Sequence, residues 1–412
     1  RTARFIDVTR ELMSPWEQEA LGVLATVPGG FTAEAARAAA GASPFFLLAL
    51  LERSLVRREG ARYTVHAAIA ERYRAGLRDP AAARERVART YAELARQVNE
   101  MPRSESSSRG YRLLDAERAN LVFAWREALE RRDTELAWPL ARALRGYLDV
   151  RGRAREGLEL FQLAESQLAD APDTELRGWV ADAVALFLAQ RGRHAEAAAK
   201  IDEALALLAP HTPGDTAAMA WNTAGVVAGM GGRPDAALAA FGTAAELRRQ
   251  LDDAVGEAQA RGNVAIVLSM LRRPQEAFAA LEEAAANYRR VEHASGEALT
   301  LLNLASLGRE SGLLEPEAVM AHARAALELA EGIGYANGAR GAATELGEAL
   351  LLAGRPEEAL GAFERARDWA RVEENESAER DLLGRMAAAR RAADAALREQ
   401  VRGAGAEAAS EG

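Results

Sequence analysis

Two segments decide the fold: "GGRPDAALAAFGTAAEL" at 231–247 and "LRRPQEAFAALEEAAANY" at 271–288. Each opens on a turn that ends one helix and a proline that starts the next. Superposed, they match Ala237 with Ala277, Phe241 with Leu281 and Ala244 with Ala284. Spacings of three, four and seven put these residues on one helix face, where small side chains let a neighbouring helix approach and the bulky one fills the gap. The pattern recurs in "RGRAREGLELFQLAESQL", "RGRHAEAAAKIDEALALL", "GLLEPEAVMAHARAALEL" and "AGRPEEALGAFERARDWA". One small column runs Ala164, Ala204, Ala244, Ala284, Ala325, Ala366; another runs Gly157, Ala197, Ala237, Ala277, Ala318, Ala359. The bulky column is Phe161, Ile201, Phe241, Leu281, His322, Phe363. Six helical hairpins of about 40–42 residues that bury their apolar faces against one another make an all-α protein, an α-solenoid.

Composition removes most alternatives. The 412 residues contain no cysteine, which excludes disulfides, thiolate metal sites and cysteine nucleophiles. Five dispersed histidines (66, 194, 211, 293, 322) form no metal-binding spacing, so no metal is expected. Lys200, the only lysine, lies in a glycine-free helical segment, so the chain carries no phosphate-cradling GxxxxGK[ST] loop and no cofactor of its own is expected. No nucleophile, base and orienting acid stand at motif spacing, and no catalytic residue is assigned: the chain reads as a non-enzyme. The formal net charge of −9 disfavours general nucleic-acid binding. No apolar run reaches the length of a bilayer crossing and the amino-terminal residues lack a secretion-signal core, so no membrane and a cytoplasmic setting are expected.

The chain divides by pattern. Residues 1–78 form a small head, 79–134 a helical connector, 135–376 the repeat array, 377–402 a capping helix, and 403–412 a frayed tail. In the head, "SPWEQEALGVLATV" opens on a Ser-Pro helix start with Trp16, Ala20, Leu21 and Leu24 on a face; "GGFTAEAARAAAG" has Thr32 as cap and Gly41 as stop. The apolar helix from Pro44 to Ser54 follows, then two alternating runs around Glu59-Gly60. Three helices and a two-stranded wing make a winged helix. Its third helix, "FFLLALL" at the middle, offers no polar side chain to a base edge, leaving Arg53, Arg57, Arg58 and Arg62 for phosphate.

First helices of successive hairpins line the inner side of such a stack. At matching places stand "WNTAG", "GNVAI" and "LNLAS", giving Asn222, Asn263 and Asn303, with Glu345 in register and Gln259 one turn before Asn263. Asparagine carries both donor and acceptor, so a ladder of them suits the backbone of an extended peptide. The alternative is that the amides tie adjacent helices together or face water. His322, in the bulky column, reads as core.

The array resembles the tetratricopeptide repeat in its lengthened form over roughly residues 135–372, with Gly225 at the family's glycine position and Ile266 replacing it in the next unit. That resemblance implies peptide binding by the asparagines. The head, carried by "LMSPWEQEALGVLATVPGGFTAEAARAAAG", "LLALLERSLVRREGARYTV" and "HAAIAERYRAGL", resembles the winged-helix domain of bacterial STAND regulators, and the resemblance continues through "VARTYAELARQV" and "LLDAERANLVFAWREALERRDTELAWPLARAL". It implies that Val65-His66-Ala67 stands where the family has Met-His-Asp, whose histidine contacts the β-phosphate of ADP; Ala67 replaces the acid. ADP or ATP and an upstream nucleotide-binding domain are thereby implied for a larger parent protein, with a protein or peptide ligand in the groove. His66 has a structural alternative as the cap of the following helix. A second function, a peptide-responsive transcription factor whose winged helix binds DNA directly, stays open on this reading.

Overall fold

Short polar side chains set the helix starts in the head. The computed structural model describes residues 9–101, 109–372 and 376–410. The Ser14 hydroxyl accepts from the Glu17 amide at 3.3 Å while the Glu17 carboxylate accepts from the Ser14 amide at 2.7 Å. This reciprocal cap starts α1, Pro15–Leu24, which buries Ala20, Leu21 and Leu24 but leaves Trp16 exposed at its edge. Thr32 caps α2, Ala33–Ala40, and Gly41 ends it at a left-handed φ of 65°. Ser43 caps α3, Pro44–Glu52.

Strands Val56–Glu59 and Arg62–Val65 pair antiparallel, Val56 opposite Val65 and Glu59 opposite Arg62, around Gly60 at φ 57°. Two strands are expected from the alternation; among the described residues there are three. Phe31–Thr32 (β1) joins Arg62–Val65 (β3), whose other edge carries Val56–Glu59 (β2), in the order β1-β3-β2. With two residues, β1 is too short to leave a period-two signature. Helices α4 (Ala67–Ala75), α5 (Pro80–Glu100) and α6 (Tyr111–Glu130) follow.

The chain makes two compact units, residues 1–210 and 211–412, so the division falls inside the span read as one array. Unit one ends in two hairpins, α7 (Thr134–Val150) with α8 (Ala154–Gln167) and α9 (Thr174–Gln190) with α10 (His194–Leu208). Unit two holds four: α11 (Asp215–Met230) with α12 (Pro234–Gln250), α13 (Ala254–Met270) with α14 (Pro274–Arg290), α15 (Ala294–Ser311) with α16 (Pro316–Gly332), and α17 (Ala336–Leu352) with α18 (Pro356–Val372). Asp133, Asp173 and Asp253 cap first helices, and His293 does the same through Nδ1, which accepts from the Gly296 amide at 3.1 Å.

Helix α19, Glu376–Ser410, packs on α18 and buries Leu382, Met386 and Ala389. It runs past residue 402, where a frayed tail was expected. Residues 411 and 412 lie outside the described residues.

The columns close the core as expected in five hairpins and slip by one in the fifth of the six. There Val319, Ala323 and Ala326 are buried, in place of Ala318, His322 and Ala325. The cause is a longer turn: Pro274 and Pro316 are 42 residues apart, whereas Pro234 and Pro274 are 40 apart. Gly312 ends α15 at φ 67°, and Leu314 folds back against Gly308, where an added Cβ would come within 2.5 Å of it. The glycine column also shifts. Gly225 lies under the Phe241 ring, but the buried residue at that place in α13 is Ala265, and Ile266 points outward at 57% exposure.

Candidate functional site

The exposed face of the first helices in unit two is built from one repeated spacing. Gln259, Asn263, Ile266 and Met270 follow at offsets of four, three and four along α13; Leu299, Asn303, Ser306 and Glu310 take the same places in α15. Asn263 and Asn303, two of the five residues expected to bind, therefore share one register, and Gln259 lies one turn before Asn263 on the same face. Asn222 does not: it lies 12 residues before Pro234, and Asn263 lies 11 before Pro274. The residue of α11 in Asn263's register is Thr223, which is buried and donates its hydroxyl to the Met219 carbonyl. Asn222 is rotated from it by one residue, yet the structure brings it to Asn263, whose Nδ2 donates to Asn222 Oδ1 at 2.8 Å. Adjacent helices are thus tied by half of each amide. Among the described residues no hydrogen bond uses Asn222 Nδ2, Asn263 Oδ1 or the Asn303 amide.

Sequence reasoning missed the apolar part of this face. Met230, Ile266, Met270, Leu299 and Leu352 are all exposed large side chains on first helices. The signal was available in Ile266, a large residue at the place read as the family's glycine position and 57% exposed.

Glu345 is in register but inward: it is buried, and its carboxylate accepts from Arg309 Nε and, at 3.4 Å, from Arg309 Nη2. Glu348 on the next turn pairs with Arg385 of α19. These ion pairs occupy the face at the last hairpin, and Leu302 covers Gly341. His322 is half-buried beside the Phe278 ring at 6.3 Å, and burial pushes its imidazole below the ordinary value; it lies on the packing margin, outside the column that fills the core.

In the head, His66 occupies the cap position of α4 with extended backbone, φ −62° and ψ 139°. It is exposed and its side chain makes no capping hydrogen bond, so the helix start does not use the imidazole. Two of the four arginines assigned to phosphate, Arg58 and Arg62, are engaged elsewhere. Arg62 donates to both oxygens of Glu117, at 2.5 and 3.1 Å, and to the carbonyls of Gly29 and Gly30 at 2.8 and 3.0 Å. Asn120, fully buried, takes the Gly29 amide on Oδ1 at 2.7 Å and donates Nδ2 to Gly30 O and to Glu117. Arg58 donates to Gly60 O at 2.8 Å. The third helix turns Phe45, 84% exposed, and Leu48 to the outside. The long-range network through Glu117 and Asn120 left no sequence signal, because its partners lie 55 and about 90 residues away.

Among the described residues no single helix is long and apolar enough to cross a membrane.

A tetratricopeptide-repeat family model matches residues 215–290. No curated protein matches by sequence. Among solved structures, the chain is similar to a Signal Transduction ATPase with Numerous Domains (STAND) protein with a tetratricopeptide repeat sensor from Pyrococcus horikoshii, with a TM-score of 0.62 and 15% identity over 92% of this chain and 54% of that one. This chain therefore spans about half of that protein's length. BtubC from P. vanneervenii (TM-score 0.46, 16% identity, 54% of this chain and 90% of that one) is also similar. So is a Rap protein complexed with competence and sporulation factor (0.46, 13%, 76% and 99%). The fold of this chain is that of tetratricopeptide-like helical hairpins, which follow a small mixed head in the sequence.

Proposed function

We propose that this chain is the regulatory and ligand-sensing portion of a STAND-type NTPase, in which the array binds a protein or peptide ligand and the head, a winged helix, restrains a nucleotide-binding domain of a larger protein. The observation that carries this reading is the face of α11, α13 and α15. Open amide atoms of Asn222, Asn263 and Asn303 there adjoin exposed Ile266, Met270 and Leu299. Amides that can both donate and accept suit a peptide backbone, and the apolar side chains beside them suit every second residue of an extended segment. Gln259 lies on the same face; Glu345, neutralised by Arg309, contributes architecture to it.

Immobilising the 412-residue chain against a random peptide library and titrating the selected peptides tests this. Asn222→Ala, Asn263→Ala and Asn303→Ala combined are expected to weaken binding by about a hundredfold, since each net hydrogen bond contributes about 1 kcal/mol. Unchanged titration curves in the triple variant would leave the amides as helix ties and remove the reading.

For the restraining role, the relevant feature is His66, exposed at a helix start that does not use its ring. An imidazole N–H there is available to donate to a phosphate oxygen of ADP. Joined to its nucleotide-binding domain, a His66→Ala variant is expected to release ADP about tenfold faster, measured by chase of a fluorescent analogue; equal release rates would refute the assignment. Ligand and nucleotide couple only through differing affinity of the ligand for closed and open arrangements.

A further inference from the structure

Unit one carries a cluster that nothing above uses. Trp138 and Trp179, on the first helices α7 and α9, stand with ring centroids 6.0 Å apart and planes at 60°, forming a wedge. The guanidinium of Arg142, one turn after Trp138, lies 5.7 Å from one ring and 5.3 Å from the other. Arg142 itself is exposed, so the wedge opens to solvent on that side. Behind it Arg145 donates Nε to Asp182 Oδ2 at 2.8 Å and lies 5.5 Å from the Trp179 ring. Trp138 donates its indole N–H to Asp173 at 3.1 Å.

Two polar atoms in this cluster are left without a hydrogen bond. Asp182 is 1% exposed and its Oδ1 has no partner; Trp179 is 4% exposed and its indole N–H has none. An unpartnered carboxylate oxygen at that depth is costly and calls for a donor. Glu175, Trp179 and Asp182 share a face of α9 by spacing, with Asp173 at its cap. Asp173, against Trp138, and Asp182, against Arg145, place two carboxylates beside the rings.

From these observations we infer that the tryptophan wedge is a binding site for a cationic side chain of a protein ligand, an arginine or an alkylated ammonium, and that Arg142 is its internal occupant in the ligand-free chain. Two tilted indoles attract a cation on both faces, and the carboxylates behind them supply the acceptors a guanidinium needs. Arg142 sets the affinity by competing: any incoming cation first displaces it. The site lies in different hairpins from the asparagine face, and its test does not depend on that face.

The probes are N-acetyl-arginine amide and tetramethylammonium, with N-acetyl-norleucine amide as the neutral control, titrated against the full chain by tryptophan fluorescence and by calorimetry. Arg142→Ala is expected to bind both cations about tenfold more tightly than the parent chain and the neutral probe no better. Adding Trp138→Phe to Arg142→Ala, which shrinks the ring and removes the indole N–H bonded to Asp173, is expected to remove most of that gain. Arg142→Ala with unchanged cation affinity, or a gain shared by norleucine amide or retained in the Trp138→Phe background, would overturn the assignment. Because every probe is small and the asparagines are untouched, a negative result here leaves the peptide-binding titration independent.

Discussion

Glu117→Ala is expected to destabilise the head by about 3 kcal/mol. Glu117, 4% exposed, takes two hydrogen bonds from Arg62 and one from Asn120 Nδ2 at 2.6 Å. Its removal strands the guanidinium partly inside the protein and one amide donor wholly so. The figure sits at the low end for breaking a buried pair, because Arg62 keeps the Gly29 and Gly30 carbonyls and its side chain is 26% exposed. Removing both charges in Glu117→Ala/Arg62→Met is expected to cost less than Glu117→Ala alone, since no unpaired charge remains. Amide hydrogen exchange over residues 29–32 and 56–65 reads the loss locally. A single variant whose exchange matches the parent chain would show the network to be incidental.

That network bears on function through what it holds. Arg62 begins the strand that ends at Val65, next to His66, and the Gly29–Gly30 turn leads into β1 beside it. The edge of the head that carries the histidine is thus fastened to α6.

How much of this was legible depended on the range of the interaction. The helical hairpins were readable because glycine or arginine turns, prolines and the small-bulky-small face are all local, repeated signals. The same repetition made the error at His322: a turn two residues longer moved the register, and a fixed stride could not register it. Asn263 and Asn303 were correctly placed on one face. Asn222, out of register, meets Asn263 only through a hydrogen bond across helices, and Glu345 pairs with Arg309, 36 residues away. A helical wheel gives direction but not partners. The tryptophan wedge left no sequence signal for the same reason, since Trp138 and Trp179 meet only where α7 and α9 pack side by side.

The strongest packing test lies at the last hairpin, where Phe363 is fully buried against α17. Phe363→Ala is expected to cost about 3–5 kcal/mol, the usual loss for deleting a buried ring that neighbours cannot replace. What makes the test specific is Gly347. A Cβ there would stand 2.5 Å from Phe363 Cε1, closer than packed atoms approach, so Gly347→Ala in the parent chain must displace a buried ring and is expected to destabilise. In the Phe363→Ala background the same methyl enters the vacated space, and alanine is worth about 1 kcal/mol over glycine in a helix interior. The sign of Gly347→Ala is therefore expected to reverse between the two backgrounds, a coupling that urea unfolding of the four proteins measures directly. If Gly347→Ala stabilised both, backbone entropy alone would explain the glycine. The close ring contact would then not set the spacing of α17 and α18, and the small-against-bulky rule from which the hairpins were read would lose its physical basis at this position.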